Sequence, residues 1–176
     1  MAFTLWMTGL PRSGKSTLTE MVWEELGNRG LKSEIFDGDV IRAHLADGLG
    51  FNKKDRDTNV RRVGYICSLL NKHDVICLAA MVSPYEQARE YNRRSIPNFI
   101  EVFCDCPLEV AESRDFKGLY AKARTGEIPN FTGISDPYEV PVNPELRVDT
   151  GVQCVTDSFR EVIAYLENKG LIPKEK

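Results

Sequence analysis

The sequence predicts one α/β domain, a mostly parallel sheet covered by helices on both faces. Three observations carry that reading. Short apolar runs alternate along the chain with segments of helical apolar spacing, the order that builds parallel sheets. A glycine-rich loop joins the first apolar run to the first amphipathic segment. A chain of 176 residues, 42% hydrophobic and 28% charged, supports one sizeable core and shows no internal repeat or low-complexity tract.

Taken in order, Phe3–Thr8 reads as the first strand. Lys15–Asn28 reads as a helix, because Leu18, Met21, Val22 and Leu26 recur at helical spacing. Gly30 supplies its stop, and Lys32–Phe36 the second strand. Val40–Ala46 is a short helix and Asp55–Leu70 a longer one. Val75–Ala80, Phe99–Cys104 and Leu146–Asp149 are further short apolar strands, followed or bridged by helices over Pro84–Arg93, Pro107–Ser113 and Val152–Asn168. The prolines at 84 and 107 stand where a first helical turn tolerates a missing donor. A single domain over residues 1–176 is expected. Within it, the stretch from about 114 to 144 has weak periodicity and much of the glycine and proline, and reads as a lid.

Composition excludes several function classes. A formal charge of −3 argues against bulk binding to nucleic acid. No window reaches the roughly 18 consecutive apolar residues of a membrane span. The start, MAFTLWMTGL, is apolar but lacks a basic leader, so it reads as a core strand and not a secretion signal. The 5 cysteines, at 67, 77, 104, 106 and 154, look like thiols of a reducing compartment, which predicts a cytoplasmic protein. Cys104 and Cys106 make neither a CxxC pair nor a zinc set, and His44 and His73 are too isolated for a metal site or triad.

The strongest signal is Gly9-Leu10-Pro11-Arg12-Ser13-Gly14-Lys15-Ser16, a complete G-x-x-x-x-G-K-[ST] loop between a strand and a helix. Its glycines let successive backbone N–H groups converge on phosphate oxygens, and the helix amino terminus adds positive potential. Gly9 to Thr17 is therefore the expected ATP-binding segment. Lys15 reaches the β and γ phosphates, and the Ser16 hydroxyl ligates magnesium. Arg12 either contacts phosphate or points to solvent.

The acceptor side follows. Asp37-Gly38-Asp39 ends the second strand beside the phosphate loop, with Asp39 the candidate to orient or deprotonate an acceptor and Asp37 in support. Arg42, Phe51, Arg56, Asn59, Arg61 and Arg62 then supply guanidinium, amide and aromatic groups suited to a base and an anionic arm. Arg42 lies three residues after Asp39, and Arg56 and Asn59 share a helical face. No N-K-x-D motif is present, which argues against a guanine-specific switch. The length and the lid suit a nucleotide-type kinase, in which closure excludes water.

With these residues in place the sequence resembles the adenylyl-sulfate kinase family over nearly its entire length. The resemblance is carried by the phosphate loop, Asp37-Gly38-Asp39 with Arg42, Leu49-Gly50-Phe51 with Asp55-Arg56, and Asn59 to Gly64. It continues through Val82-Ser83-Pro84-Tyr85, Pro107 to Val110, Arg114-Asp115, Lys117 to Tyr120, Phe131 to Ile134 and Asp136 to Glu139. What it implies is a P-loop kinase fold and magnesium-dependent transfer from ATP to the 3'-hydroxyl of adenylyl sulfate. By the same resemblance Phe51 and Phe131 sandwich the acceptor's adenine. Arg42, Arg56 and Asn59 contact its phosphosulfate and neighbouring polar groups, Val82 and Ser83 bound the pocket, and Lys117 approaches the anionic ligands from the lid. It also implies a homodimer and functional coupling to a sulfate adenylyltransferase.

The family counterpart of Ser83 looks like a serine linked to a phosphoserine intermediate. Direct transfer with Ser83 lining the pocket is the preferred route, because no neighbouring residues in the sequence activate it as a nucleophile. Three departures from the family pattern stand out, namely the bulky Pro11-Arg12, Val40 where asparagine is usual, and the run around His44. Two alternatives stay open at this point. One is a kinase for a related nucleotide such as a nucleoside diphosphoramidate, and the other is a non-catalytic nucleotide-binding regulatory module.

Overall fold

The computed structural model describes residues 2–174, so positions 1, 175 and 176 of the expected domain lie outside the described residues. Five parallel strands form one sheet: β1 (Thr4–Thr8), β2 (Ser33–Asp37), β3 (Ile76–Ala80), β4 (Phe99–Asp105) and β5 (Leu146–Asp149), in the order β2-β3-β1-β4-β5. The helices are α1 (Lys15–Asn28), α2 (Gly38–Leu45), α3 (Lys53–Asn71), α4 (Glu86–Ser95), α5 (Leu108–Ser113), α6 (Leu119–Arg124) and α7 (Val155–Asn168).

Strand alternation sorts the core into two layers. Phe3, Leu5 and Met7 pack with Leu18, Val22 and Leu26 of α1 and Val162 and Leu166 of α7. Trp6, on the opposite face, packs with Val60, Val63 and Cys67 of α3 and Ala88 of α4. A third cluster joins Cys106, Ala111, Tyr120, Ala123 and Phe131 beyond the end of β4. Cys104 and Cys106 enter separate clusters as free thiols because β4 ends at Asp105; on a strand continued through both, positions two apart would share one face.

β1 is the central strand, and the chain leaves it first for one side of the sheet and later for the other. Such a switch opens a crevice at the carboxyl ends of the strands, where the phosphate loop stands.

Several expected boundaries move. α4 begins at Glu86 and not Pro84, because residues 81–85 form no helix: Ser83 adopts the left-handed φ of 38°, and the N-cap Tyr85 is extended. α7 begins at Val155 and not Val152, since the Val152 N–H is taken by the Asp149 carboxylate at 3.1 Å and Cys154 occupies the N-cap position. The segment 114–144 contains α6, which the sequence reading missed. Six residues are too short to show a helical period, and Asp115 secures the turn from outside by accepting from Leu119 N at 3.0 Å and Tyr120 N at 2.6 Å. Among the described residues no helix is long and apolar enough to cross a membrane.

Candidate nucleotide and acceptor site

The phosphate loop is built by close approach. Gly9 lies against β4, where an added Cβ would stand 2.7 Å from both the Cys104 carbonyl and the Ser13 hydroxyl. Gly14 is the N-cap of α1 with φ 90° and gives no side-chain cap. The first N–H groups of the helix therefore face the loop with no side chain competing for them, the arrangement that suits a phosphate.

Lys15 is buried beneath this curl. Its ammonium donates to the Gly9 carbonyl at 3.0 Å, the Leu10 carbonyl at 2.7 Å and Ser13 Oγ at 3.3 Å. Burial lowers its pKa from the ordinary lysine value to about 8. The adjacent Cys104 thiol is pushed up to about 12 by burial, so it stays neutral beside the lysine.

Asp37 joins the loop to the acceptor side. Its Oδ2 accepts from Ser16 Oγ at 2.6 Å, and its Oδ1 caps α2 by accepting from Asp39 N at 2.9 Å. The Ser16 hydroxyl and Asp37 carboxylate form a small, hard oxygen set, the kind magnesium takes up while keeping most of its waters. Among the described residues no cluster of three or more His, Cys, Asp or Glu could hold a metal by itself. The Asp39 side chain, in contrast, is 90% exposed, and its carboxylate lies 3.8 Å from Lys117 Nζ.

A cavity of about 380 Å³ brings most of the candidate residues together. Lys15, Ser16, Asp37 and Asp39 line its phosphate end; Arg42, Phe51, Arg56 and Asn59 line one wall; Val82, Ser83 and Phe131 complete it. The Phe51 ring is 53% exposed and lies 4.0 Å from the Arg42 guanidinium and 5.4 Å from that of Arg56, measured to the ring centroid. Its loop is braced by Asn52, the N-cap of α3, and by Asp55, which accepts from Gly50 N at 2.9 Å.

Arg42 donates to the Gly50 carbonyl at 3.1 Å, and Arg56 to the carbonyls of Phe51 at 2.7 Å and Asn130 at 2.6 Å. Burial lowers the pKa of both guanidiniums, and the charge of Arg56 lowers Arg42 further. Two half-buried cations with no carboxylate ion pair among the described residues make a receptive wall for an anion.

Phe131 is set differently from Phe51. It is buried, and its ring meets Tyr120 edge-on at 4.9 Å, while the Tyr120 hydroxyl donates to the Pro11 carbonyl at 2.8 Å. Asn59 is 4% exposed and its Oδ1 has no partner among the described residues. Ser83 is buried too: its hydroxyl accepts from Trp6 Nε1 at 3.0 Å and donates to the Met81 carbonyl at 3.2 Å.

Not every predicted residue converges here. Leu10 lines a separate cavity with Phe103 and Tyr138, and Thr17 is exposed on α1. Arg61 lies over Tyr91 and Arg62 donates to the Leu45 carbonyl at 2.8 Å, so neither belongs to the pocket. Conversely, Thr132 was not foreseen. It lines the cavity, is 1% exposed, and its hydroxyl has no partner among the described residues. Thr132 falls within the Phe131 to Ile134 run that carries the resemblance, but the sequence gives it no role, because its significance lies in burial.

Comparison with known proteins gives a consistent result. A model of the family described as adenylylsulphate kinase matches residues 1–149. The adenylyl-sulfate kinase of Halothermothrix orenii is 51% identical over 169 residues, covering 96% of this chain and 91% of that protein. A probable bifunctional SAT/APS kinase 2 of Sorangium cellulosum is 48% identical over 172 residues, but the chain spans only 30% of its length. The structure of the Mycobacterium tuberculosis APS kinase CysC in complex with AMPPNP and APS superposes with a TM-score of 0.90 at 42% identity, covering 94% of this chain and 98% of that one.

Proposed function

The chain belongs to the adenylylsulphate kinase family, and on that premise we propose that it transfers the γ-phosphoryl group of ATP to the 3'-hydroxyl of adenylyl sulfate. The products are 3'-phosphoadenylyl sulfate and ADP. The observation that carries the reading is the single cavity in which Lys15 and Ser16 face Asp39, Arg42, Phe51 and Arg56.

The loop N–H groups and Lys15 hold the donor phosphates, while Arg42 and Arg56 hold the acceptor's phosphosulfate arm. Asp39, exposed at the phosphate end, accepts the 3'-hydroxyl proton directly or through water. Asp37 keeps Ser16 and the start of α2 in place. Ser16, with Asp37 behind it, would hold magnesium, which would supply charge neutralisation on the donor phosphates. Ser83 serves as pocket wall: both bonds of its hydroxyl are internal, and no base stands beside it among the described residues.

The test is turnover with ATP, magnesium and adenylyl sulfate, with the phosphate position identified in the product. Phosphate on the 3' oxygen is expected, and free phosphate alone would sink the proposal. Phe51→Leu and Phe131→Leu then probe the aromatic pair. Loss of base stacking is worth about 1–3 kcal/mol, which weakens acceptor binding roughly five- to more than a hundredfold. Phe51 is exposed, so Phe51→Leu should raise the acceptor KM with the melting temperature unchanged. Phe131 packs on Tyr120, so Phe131→Leu should lower stability as well. An unchanged acceptor KM in both variants would remove the clamp.

Assembly as a homodimer and action in the cytoplasm are part of the same proposal, as is coupling to a sulfate adenylyltransferase. The dimer rests on the family, the coupling on the bifunctional relative's name, and the location on the free thiols. Light scattering should give twice the mass of one chain, and a concentration-independent monomer would reject the dimer. Co-elution with a sulfate adenylyltransferase tests the coupling. Fractionation of the source cells, read with an antibody to this chain, tests the location, and recovery outside the cytoplasmic fraction would reject it.

A further inference from the structure

The phosphate loop carries an arginine at a position whose backbone favours glycine. Arg12 has φ 65°, the left-handed region that non-glycine residues rarely occupy. Such residues concentrate at functional sites, where the side chain has a use that compensates the strain. The Arg12 guanidinium lies 4.2 Å from the centroid of the Phe116 ring, on a side chain that is 82% exposed. Among the described residues it has no hydrogen bond and no carboxylate partner. It lines the same cavity as Lys15, at the phosphate end.

An exposed cation–π contact is weak, whereas a guanidinium fork on phosphate oxygens makes charge-assisted bonds in matching geometry. Phe116 is therefore a perch that is easily left. Lys15, already held by three acceptors of its own loop, is fixed at the base of the cradle. Among the described residues Arg12 is the loop cation that no hydrogen bond holds.

We propose that Arg12 is a catalytic residue: on nucleotide binding its guanidinium leaves Phe116 and pairs with oxygens of the donor's γ-phosphoryl group. This rests on the transfer reaction proposed above. In that step the bond from the γ phosphorus to the β–γ bridging oxygen breaks, and its electron pair stays on ADP. The acceptor's 3' oxygen forms the new bond to phosphorus, and its proton passes to Asp39 or water. Arg12 exchanges no proton; it holds the charge that spreads over the γ oxygens during transfer.

Calorimetry with magnesium and no acceptor reads the contact directly, by comparing AMPPNP with ADP. Arg12→Gly should weaken AMPPNP binding at least tenfold and leave ADP within about twofold. Turnover of adenylyl sulfate at saturating substrates should fall on the order of a hundredfold. The melting temperature should not drop, because glycine accepts this backbone angle without strain. Arg12→Lys should recover part of the AMPPNP affinity and less of the turnover, since it restores charge but not the fork. Phe116→Ala should keep both the affinity ratio and the turnover within about twofold. An unchanged AMPPNP-to-ADP ratio in Arg12→Gly overturns the proposal, as do equal losses in Arg12→Gly and Phe116→Ala, which would make the pair a structural latch. A parent enzyme without 3' product alongside a lost AMPPNP preference in Arg12→Gly would refute the acceptor reading and leave the γ-phosphate contact standing.

Discussion

Lys15→Ala is expected to lower turnover about a thousandfold while the protein stays folded, a loss of roughly 4 kcal/mol in transition-state stabilisation. The magnitude follows from position. Lys15 is the buried cation of the cradle, and a charge acting there is screened less than one at the surface. The fold should tolerate the change, because the lysine's partners are two loop carbonyls and the Ser13 hydroxyl, which water can satisfy. Near-parental turnover in the variant would refute the phosphate-cradle assignment.

The same residue sets a pH dependence. Burial holds Lys15 near a pKa of about 8 in the nucleotide-free protein. Bound phosphates favour the ammonium and raise that value, so nucleotide binding above pH 8 takes up a proton. Affinity is then fully present below about pH 8 and falls by up to tenfold per pH unit above it. In Lys15→Ala the affinity should be weaker and flat from pH 7 to 9. Equal slopes in the parent and the variant would assign the titration to another group.

Much of this site was legible in the sequence because local rules dictate it. The phosphate loop is a contiguous pattern, and Asp37-Gly38-Asp39 falls at a strand end where parallel sheets place ligands. Helical spacing relates Arg42 to Asp39 on α2 and Arg56 to Asn59 on α3, and the fold brings both arginines to one cavity. What stayed hidden depends on distant chain. Thr132 matters through burial alone, and Arg12 through its contact with Phe116. The two phenylalanines looked equivalent in the sequence, yet one is exposed between guanidiniums and the other is wedged on Tyr120. The same blindness covered Arg89, which the sequence reading placed in a helix and gave no role.

Arg89 is 1% exposed on α4 and is surrounded by acceptors. It donates to the Ser83 carbonyl at 2.6 Å and the Glu139 carbonyl at 2.7 Å, and it pairs with Glu86. Its Nε stands 2.8 Å from Glu101 Oε1, an ion pair off the hydrogen-bond line. Glu101 is itself 1% exposed, with Arg93 Nη2 at 2.8 Å as its other cation. Removing one member of such a group strands the rest, which costs about 3–5 kcal/mol, a large share of the roughly 5–15 kcal/mol that holds a domain folded.

Arg89→Met, which keeps the bulk and loses the charge, should therefore shift the urea midpoint sharply downward. The double variant Arg89→Met with Glu101→Met should recover about 2 kcal/mol relative to the sum of the single losses, because the buried Glu101 carboxylate is no longer stranded and Glu86, which also loses Arg89, is partly exposed. Function should respond as well. The hydrogen bond from Arg89 holds the Ser83 carbonyl, and with it the φ of 38° that shapes the pocket wall. With that bond gone, residues 81–85 can relax toward ordinary extended backbone, so the acceptor KM should rise while ADP affinity changes little. The double variant restores stability but not the hydrogen bond to Ser83, so its KM should stay high. Additive stability losses would show that the pair is not coupled, and a KM that recovers together with stability would show that Arg89 acts on the pocket only through folding.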